Sequence, residues 1–382
     1  MSKKGNLREI ASVFFRMGAV AFGGPAAHIA MMESEIITKR KWMDRQHFLD
    51  LMGATNLIPG PNSTEMTMHC GHERGGTAGL FVAGISFIFP AVIITGFLAW
   101  LYGEYGTMPE VEPFIAGIKP TVLAIIAGAI YKLGKKALKS VELGILGILV
   151  VAVTILGVNE ILALLGAGIL WMLYYQIKTG IKSDSEDKKV KKGFLPLILL
   201  KAPIVAGANV TTLKIFLSFL KVGAILYGSG YVLFAYLDAE LVTTGWLSRQ
   251  ELIDAIAIGQ FTPGPVLSTA TFIGYQLGGF WGAAAASAGI FLPSFLFVLM
   301  LNPLIPKMRQ SKVLSQFLNA VNIAAVAIMV SVLFEIGRES LVDWRAIVIA
   351  AVSFAVTFGL KKVSVMWVVL GGAILGYLLH LI

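Results

Sequence analysis

Hydrophobic residues run through this chain in blocks too long for the strands or helices of a soluble core. Apolar stretches cover about 76–102, 113–134, 141–157, 160–177, 278–301, 314–336, 344–360 and 363–381. Each is near or above the roughly 17–25 residues that carry a helix across hydrocarbon. Four further stretches, 8–37, 47–72, 214–240 and 250–275, are apolar but broken by glycine or proline near their middles. Polar residues gather between the blocks, most densely at 178–192, which reads as a linker. The apolar segment 194–208 holds two prolines and a lysine and reads as interfacial. Blocks of this length predict an all-α integral membrane protein.

The pattern occurs twice. Trp42, Arg45, Gln46, Asp50, Pro59, Gly60 and Pro61 recur in order and spacing as Trp246, Arg249, Gln250, Asp254, Pro263, Gly264 and Pro265. Gly75, Gly76, Gly79 and Pro90 return as Gly278, Gly279, Gly282 and Pro293, and Phe114 and Gly134 as Phe317 and Gly337. A register held over a hundred residues predicts duplicated halves, and duplication is common in transporter folds. The domains are 1–177, a cytoplasmic linker over 178–213, and 214–382.

Charge orients the halves. Lysine and arginine cluster at 39–45, 132–139, 178–192, 307–312 and 361–362. With the linker inside, the 132–139 loop also falls inside and the acidic 103–112 loop outside. The basic 303–313 and 361–362 loops occupy positions matching the first half's outside loops. Placing them inside flips the second half, so the positive-inside rule predicts two homologous inverted-topology repeats. About five spans plus re-entrant broken helices in each half satisfy this. The N-terminus then lies outside, where Lys3, Lys4 and Arg8 run against the rule.

Composition sharpens the class. Of 382 residues, 57% are hydrophobic and 14% charged, against about a quarter charged in soluble domains. Lipid must therefore be a solvent and partner. The net charge of +9 is explained by loop clusters rather than by nucleic-acid binding. Cys70 is the one cysteine, so neither an intrachain disulfide nor a cysteine metal cage forms.

The breaks carry the candidate chemistry. Pro59-Gly60-Pro61 cannot continue a helix, and irregular backbone at membrane depth belongs where protein or a cavity surrounds it. A helix starting after Pro61 would present the amides of Asn62, Ser63 and Thr64, an end that attracts anions. Pro263-Gly264-Pro265, followed by Ser268 and Thr269, repeats the device. Gly23-Gly24-Pro25 breaks the first stretch, with Gly228-Ser229-Gly230 as its counterpart. In an inverted repeat all four breaks meet near the bilayer midplane.

Arg16 and Lys221 occupy matching positions beside the breaks. Cations in a membrane helix either snorkel or face a cavity, and two of them with helix ends suit a dianion. Glu65 is a proton-coupling candidate or a partner for Arg16, and His28 is a packing or anion-contact residue. Lys119, matched by Asn322, has no assigned role. Asp50 and Asp254 are expected to pair with Arg45 and Arg249 at the hairpin ends. The run His69-Cys70-Gly71-His72-Glu73 lacks the H-E-x-x-H order of zinc proteases, so no metal site is assigned.

The stretches FGGPAAHIAMMESEII (22–37), LIPGPNSTEM (57–66), GQFTPGPVLSTATFIGY (259–275) and GIFLPSF (289–295) resemble the motifs of the chromate ion transporter family in its long, two-domain form. The second copy of the paired F-G-G motif departs from that pattern, reading Tyr227-Gly228-Ser229-Gly230-Tyr231. The resemblance implies a bacterial inner-membrane secondary transporter that exports chromate, without a cofactor. The residues themselves reach only a small anion. Sulfate, of equal charge and shape, remains an alternative. So do a channel, marked by unsaturable voltage-driven flux, and a membrane hydrolase using His69, His72 and Glu73, marked by stoichiometric zinc. Oligomeric state is open, a homodimer included.

Overall fold

The computed structural model describes residues 6–21, 25–55, 58–106, 108, 111–179, 210–226, 232–301, 312–360, 363 and 365–381. Among the described residues the regular structure is helical. The first half holds α1 (Leu7–Val20), α2 (Pro25–Met32) continued by a π-helix (Glu33–Lys39), and α3 (Arg45–Thr55). It continues with α4 (Asn62–Tyr105), α5 (Glu112–Ala137), α6 (Val141–Ile155) and α7 (Glu160–Thr179). The second half repeats the order. It holds α8 (Thr212–Ile225), α9 (Leu233–Leu237) with a π-helix (Asp238–Val242), and α10 (Arg249–Phe261). A 3₁₀ turn (Val266–Ser268) leads into α11 (Thr269–Leu301), then α12 (Lys312–Ser340), α13 (Trp344–Gly359) and α14 (Val365–His380). The linker segment 180–209, with its interfacial stretch, lies outside the described residues.

Helix starts follow local chemistry. Asn6, Ser140, Thr211 and Asp343 each accept a backbone N–H from the first turn they precede, and Ser248 forms a full capping box with Glu251. Two sharp turns shape the halves. At Gly75-Gly76 α4 folds back on itself, so that Gly71 packs against the Gly79 carbonyl and Ala83. Gly76 has φ 62° and ψ −153°, and Gly279, in the matching turn of α11, φ 60° and ψ −148°. Side chains beyond glycine avoid that region. The arms 62–74 and 266–277 are thus the returning limbs of two re-entrant hairpins, each followed by a long span.

Contacts along these spans give the relative direction of the halves. Gly18 of α1 meets Phe87 while Ile10 meets Gly79, so α1 and the long arm of α4 run parallel. In the second half Gly223 meets Ile290 while Ile215 meets Gly282, the same relation. Across the halves, Gly96 contacts Thr271 and Gly103 contacts Tyr275, so the short arm of α11 runs parallel to the long arm of α4. The long arm of α11 folds back from its short arm and is therefore antiparallel to that of α4. The repeats are inverted, as the loop charges predict.

Lipid takes the place of water on the outer faces. Phe81, Ile85, Phe89, Ile93 and Phe97 stand exposed at every fourth position of α4, one stripe of a helix. The last helices of each half cross over: α5 is flanked by α13 and α14, and α12 by α6 and α7. Hydroxyl pairs bridge these seams, Thr121 to Ser353 at 3.1 Å and Thr154 to Ser331 at 2.7 Å.

The structure shortens some expected spans. Helices α6, α13 and α14 hold 15, 16 and 16 residues, about 22–24 Å against roughly 30 Å of hydrocarbon. For α6 the cause is Gly157 at φ 88°, where the Val158 amide turns back onto the Val153 carbonyl and closes the helix.

Candidate functional site

Two proline-flanked turns reach across the halves and exchange backbone hydrogen bonds. α1 ends at Ala21 in an extended conformation, which leaves the Ala21 carbonyl outside the helical ladder. The Gly264 amide donates to it at 2.9 Å. α8 ends in the same way at Leu226, whose carbonyl accepts the Gly60 amide at 2.6 Å. Side-chain neighbours follow the same symmetry: Gly60 lies against Ser294 and Gly264 against Ala91, at matching places in the repeat. Each turn depends on a glycine. Gly60 has φ 139° and Gly264 φ 88°, and a Cβ on Gly60 would overlap Glu65 and Ser294. Two of the four predicted breaks therefore meet the ends of the helices that lead into the other two. Gly23, Gly24 and Gly228 themselves lie outside the described residues.

The polar groups behind the first turn are more elaborate than those behind the second. α4 starts after Pro61 with no side-chain cap; Asn62 opens it, and the Thr64 and Glu65 amides donate to the Pro61 carbonyl at 2.8 and 3.1 Å. His28, fully buried, places Nε2 3.1 Å from the Ala21 carbonyl and Nδ1 3.2 Å from Ser63 Oγ. A carbonyl only accepts, so Nε2 carries the proton and Nδ1 accepts from the Ser63 hydroxyl. Thr64 Oγ1 is buried without a hydrogen-bond partner. Glu65 is fully buried against Gly60, with the Ser294 hydroxyl beside it at the edge of hydrogen-bonding geometry. Leaving a buried polar group unpaired costs about 1–3 kcal/mol, more for a charged one. This centre therefore holds unspent hydrogen-bonding capacity.

In the second half the hydroxyls are satisfied locally. Ser268 Oγ lies 3.4 Å from Thr262 Oγ1, and Thr269 donates to the Val266 carbonyl at 2.8 Å. His28 and Ser63 correspond to Leu233 and Leu267, both fully buried. The scaffold is symmetric and its polar lining is one-sided.

Arg16 and Lys221 are each bound to a carboxylate. Arg16 is 63% exposed at its side chain and lies 3.2 Å from Glu35, which also holds Lys39 and Arg40 at 3.0 Å. Lys221 donates to Glu240 at 2.6 Å. Glu35 and Glu240 are themselves mates in the repeat and buried. Sequence reasoning missed both, although the spacing that links Arg16 to Lys221 links these glutamates too. The pairing of Glu65 with Arg16 is not formed.

The expected Asp254–Arg249 pair is corrected. Arg249 binds Asp238 at 2.9 Å and Glu335 at 2.7 Å, reaching out of α10 toward the π-helix and α12. Asp254 faces inward and accepts from the Tyr102 hydroxyl at 2.6 Å, with Lys119 at 3.9 Å. Arg45 pairs with Glu33 at 3.0 Å, and the Asp50 side chain is outside the described residues. On the short arm of α4, Glu73 lies 3.1 Å from His47. Among the described residues, no cluster of three or more His, Cys, Asp or Glu surrounds a common point.

The family described as "Chromate transporter" matches this chain twice, over residues 8–172 and 213–377. A "Probable chromate transport protein" of Synechococcus elongatus is 30% identical over 361 residues, covering 94% of this chain and 91% of its own. A "Chromate transport protein" of Cupriavidus metallidurans is 28% identical over 379 residues, 97% of this chain and 92% of its own. An uncharacterized transporter of Bacillus subtilis is 27% identical over 168 residues, 44% of this chain and 85% of its own. No solved structure matches.

Proposed function

This chain belongs to the chromate transporter family, and from that premise we propose that it exports chromate across the bacterial inner membrane as a secondary transporter, by alternating access about the crossing of its four helix breaks. The observation that carries this reading is the reciprocal exchange of Gly60 to Leu226 and Gly264 to Ala21. A site built equally by two inverted halves opens to one side or the other as one half rocks against its mate. No P-loop motif is present in the sequence, so an ion gradient or exchange supplies the energy.

A tetrahedral dianion carries only acceptors, and the first-half side of the crossing offers donors. Thr64 and the start of α4 at Asn62 supply them directly, and Ser63, Ser268 and Thr269 join by turning their hydroxyls from His28, Thr262 and the Val266 carbonyl to the anion. The glycines Gly23, Gly24, Gly60, Gly228 and Gly264 leave room for close backbone approach. Glu65 repels the anion when ionised and donates to it when protonated, so it ties substrate binding to proton binding. Arg16 and Lys221 give up Glu35 and Glu240 for the oxyanion as it passes, which keeps each cation compensated throughout.

Proteoliposomes loaded with labelled chromate under an imposed pH gradient test the reading. Arg16→Gln and Lys221→Gln each abolish saturable flux while the protein stays monodisperse, and Glu65→Gln removes the response to pH. Flux that survives both cation substitutions excludes them from the substrate path. Unsaturable flux that follows voltage makes the protein a channel. Sulfate displacing chromate at far lower concentration makes sulfate the substrate.

A further inference from the structure

A second group of ionisable side chains lies where α10 meets α4 and α5. Asp254 is 4% exposed, and its Oδ2 accepts from Tyr102 at 2.6 Å. Its Oδ1 has no hydrogen-bond partner among the described residues. The Lys119 ammonium is 3.9 Å from Oδ1, beyond hydrogen-bond reach. Asp254 borders a cavity of about 20 Å³, together with Tyr102, Ile115, Ile118, Ala257 and Ile258, room for one water. An apolar cavity of about 150 Å³ shares Ile118, Ala257 and Ile258 and is bordered by Val369, Leu370 and Ala373 of α14. On the helix that carries Asp254, the Gln250 side-chain amide lies at the edge of hydrogen-bond reach of the carboxylate, and Glu251 adds a like charge nearby.

Two observations set this group apart from an ion pair that merely ties helices. Pairs of that kind here close to hydrogen-bond distance, as Arg249–Asp238 does at 2.9 Å and Arg249–Glu335 at 2.7 Å. Asp254 and Lys119 stand open, and Asp254 borders a cavity, an arrangement costly to hold in a membrane without a function. The group is also unique in the repeat. Asp254, Tyr102 and Lys119 correspond to Asp50, Ile305 and Asn322, so the first half keeps the acid and lacks both partners. Duplication accounts for the aspartate and leaves the phenol and the ammonium to be explained.

We propose that Asp254 is a proton-binding site that takes up and releases one proton in each transport cycle, with Lys119 holding the balancing charge and Tyr102 orienting the carboxyl. The proton passes from water in the cavity to Oδ1. The acid becomes neutral, and the Lys119 ammonium is left uncompensated. Loading thus moves the group from no net charge to one positive charge, which attracts an anion. The proposal rests on the oxyanion-transport reading and adds a second protonatable carboxyl to Glu65.

The full chain, purified in detergent, is titrated by infrared difference spectroscopy on the C=O band of protonated carboxyls. The same preparations, in vesicles holding a pH dye, report protons moved per labelled chromate. The expected wild-type band shifts in frequency in Tyr102→Phe and is missing in Asp254→Asn. Asp254→Asn moves one proton fewer per chromate, and Asp254→Glu regains it. A wild-type ratio in Asp254→Asn, or a band untouched by both substitutions, overturns the proposal. Where Asp254→Asn fails to fold, the Tyr102→Phe shift decides. Wild-type vesicles that carry no chromate sink the transport reading instead, while the infrared titration still reports whether Asp254 binds a proton.

Discussion

Gly60 occupies a position where backbone and side-chain constraints coincide. Its φ of 139° is closed to other residues, and a methyl group there would overlap Glu65 and Ser294. Gly60→Ala is expected to cost about 1–3 kcal/mol in backbone strain alone, plus displacement of Glu65. Transport is lost and the apparent Tm falls, read by thermal shift on purified protein alongside vesicle flux. The Pro-Gly-Pro sequence makes this turn legible without coordinates, since proline and glycine act through the chain itself. Partner choice among charges is less legible. Arg16 reads as an anion ligand in isolation and is found on Glu35, because the return of the chain through α2 brings that carboxylate alongside. Arg16→Met separates the two roles, because Glu35 keeps Lys39 and Arg40 when Arg16 is removed. Stability near wild type with no chromate flux is expected if the cation meets substrate. Lowered stability with flux retained would assign Arg16 to scaffolding.

Among the elements, the two hairpins are the clearest products of the sequence. The apolar stretch from 76 starts where the fold turns, because Gly75-Gly76 and Gly278-Gly279 permit a reversal that no helix-forming pair allows. A Cβ at Gly76 or Gly279 meets open space, whereas one at Gly79 or Gly282 runs into the carbonyl of Gly71 or Gly274. Gly76→Ala and Gly279→Ala therefore lose about 1–3 kcal/mol through backbone strain, whereas Gly79→Ala and Gly282→Ala lose more because the arms separate. Thermal unfolding of the four variants gives the order, and equal losses would contradict it. Helix lengths were less accessible to sequence reasoning. Hydropathy continues past Ile155 through Leu156 to Val158, and only the left-handed Gly157 stops α6 there.

For the whole molecule, loop charge and atomic contacts agree on inversion from independent physics, one electrostatic and one steric. The agreement yields a labelling experiment. In a Cys70→Ala background, Thr77→Cys and Phe280→Cys place thiols just past the two glycine turns. A membrane-impermeant maleimide is expected to reach them from opposite sides, and labelling from one side alone would refute the inverted arrangement. The interleaving of α13 and α14 around α5, and of α6 and α7 around α12, was not legible, since apolar helices of similar composition carry no address for their neighbours.

The swapped backbone bonds at Gly60 and Gly264 imply that neither half contains a finished centre. A polypeptide encoding one repeat must recruit a mate of contrary insertion before it can work. Joining the two in one reading frame converts that recruitment from a chance meeting in the lipid into covalent inheritance.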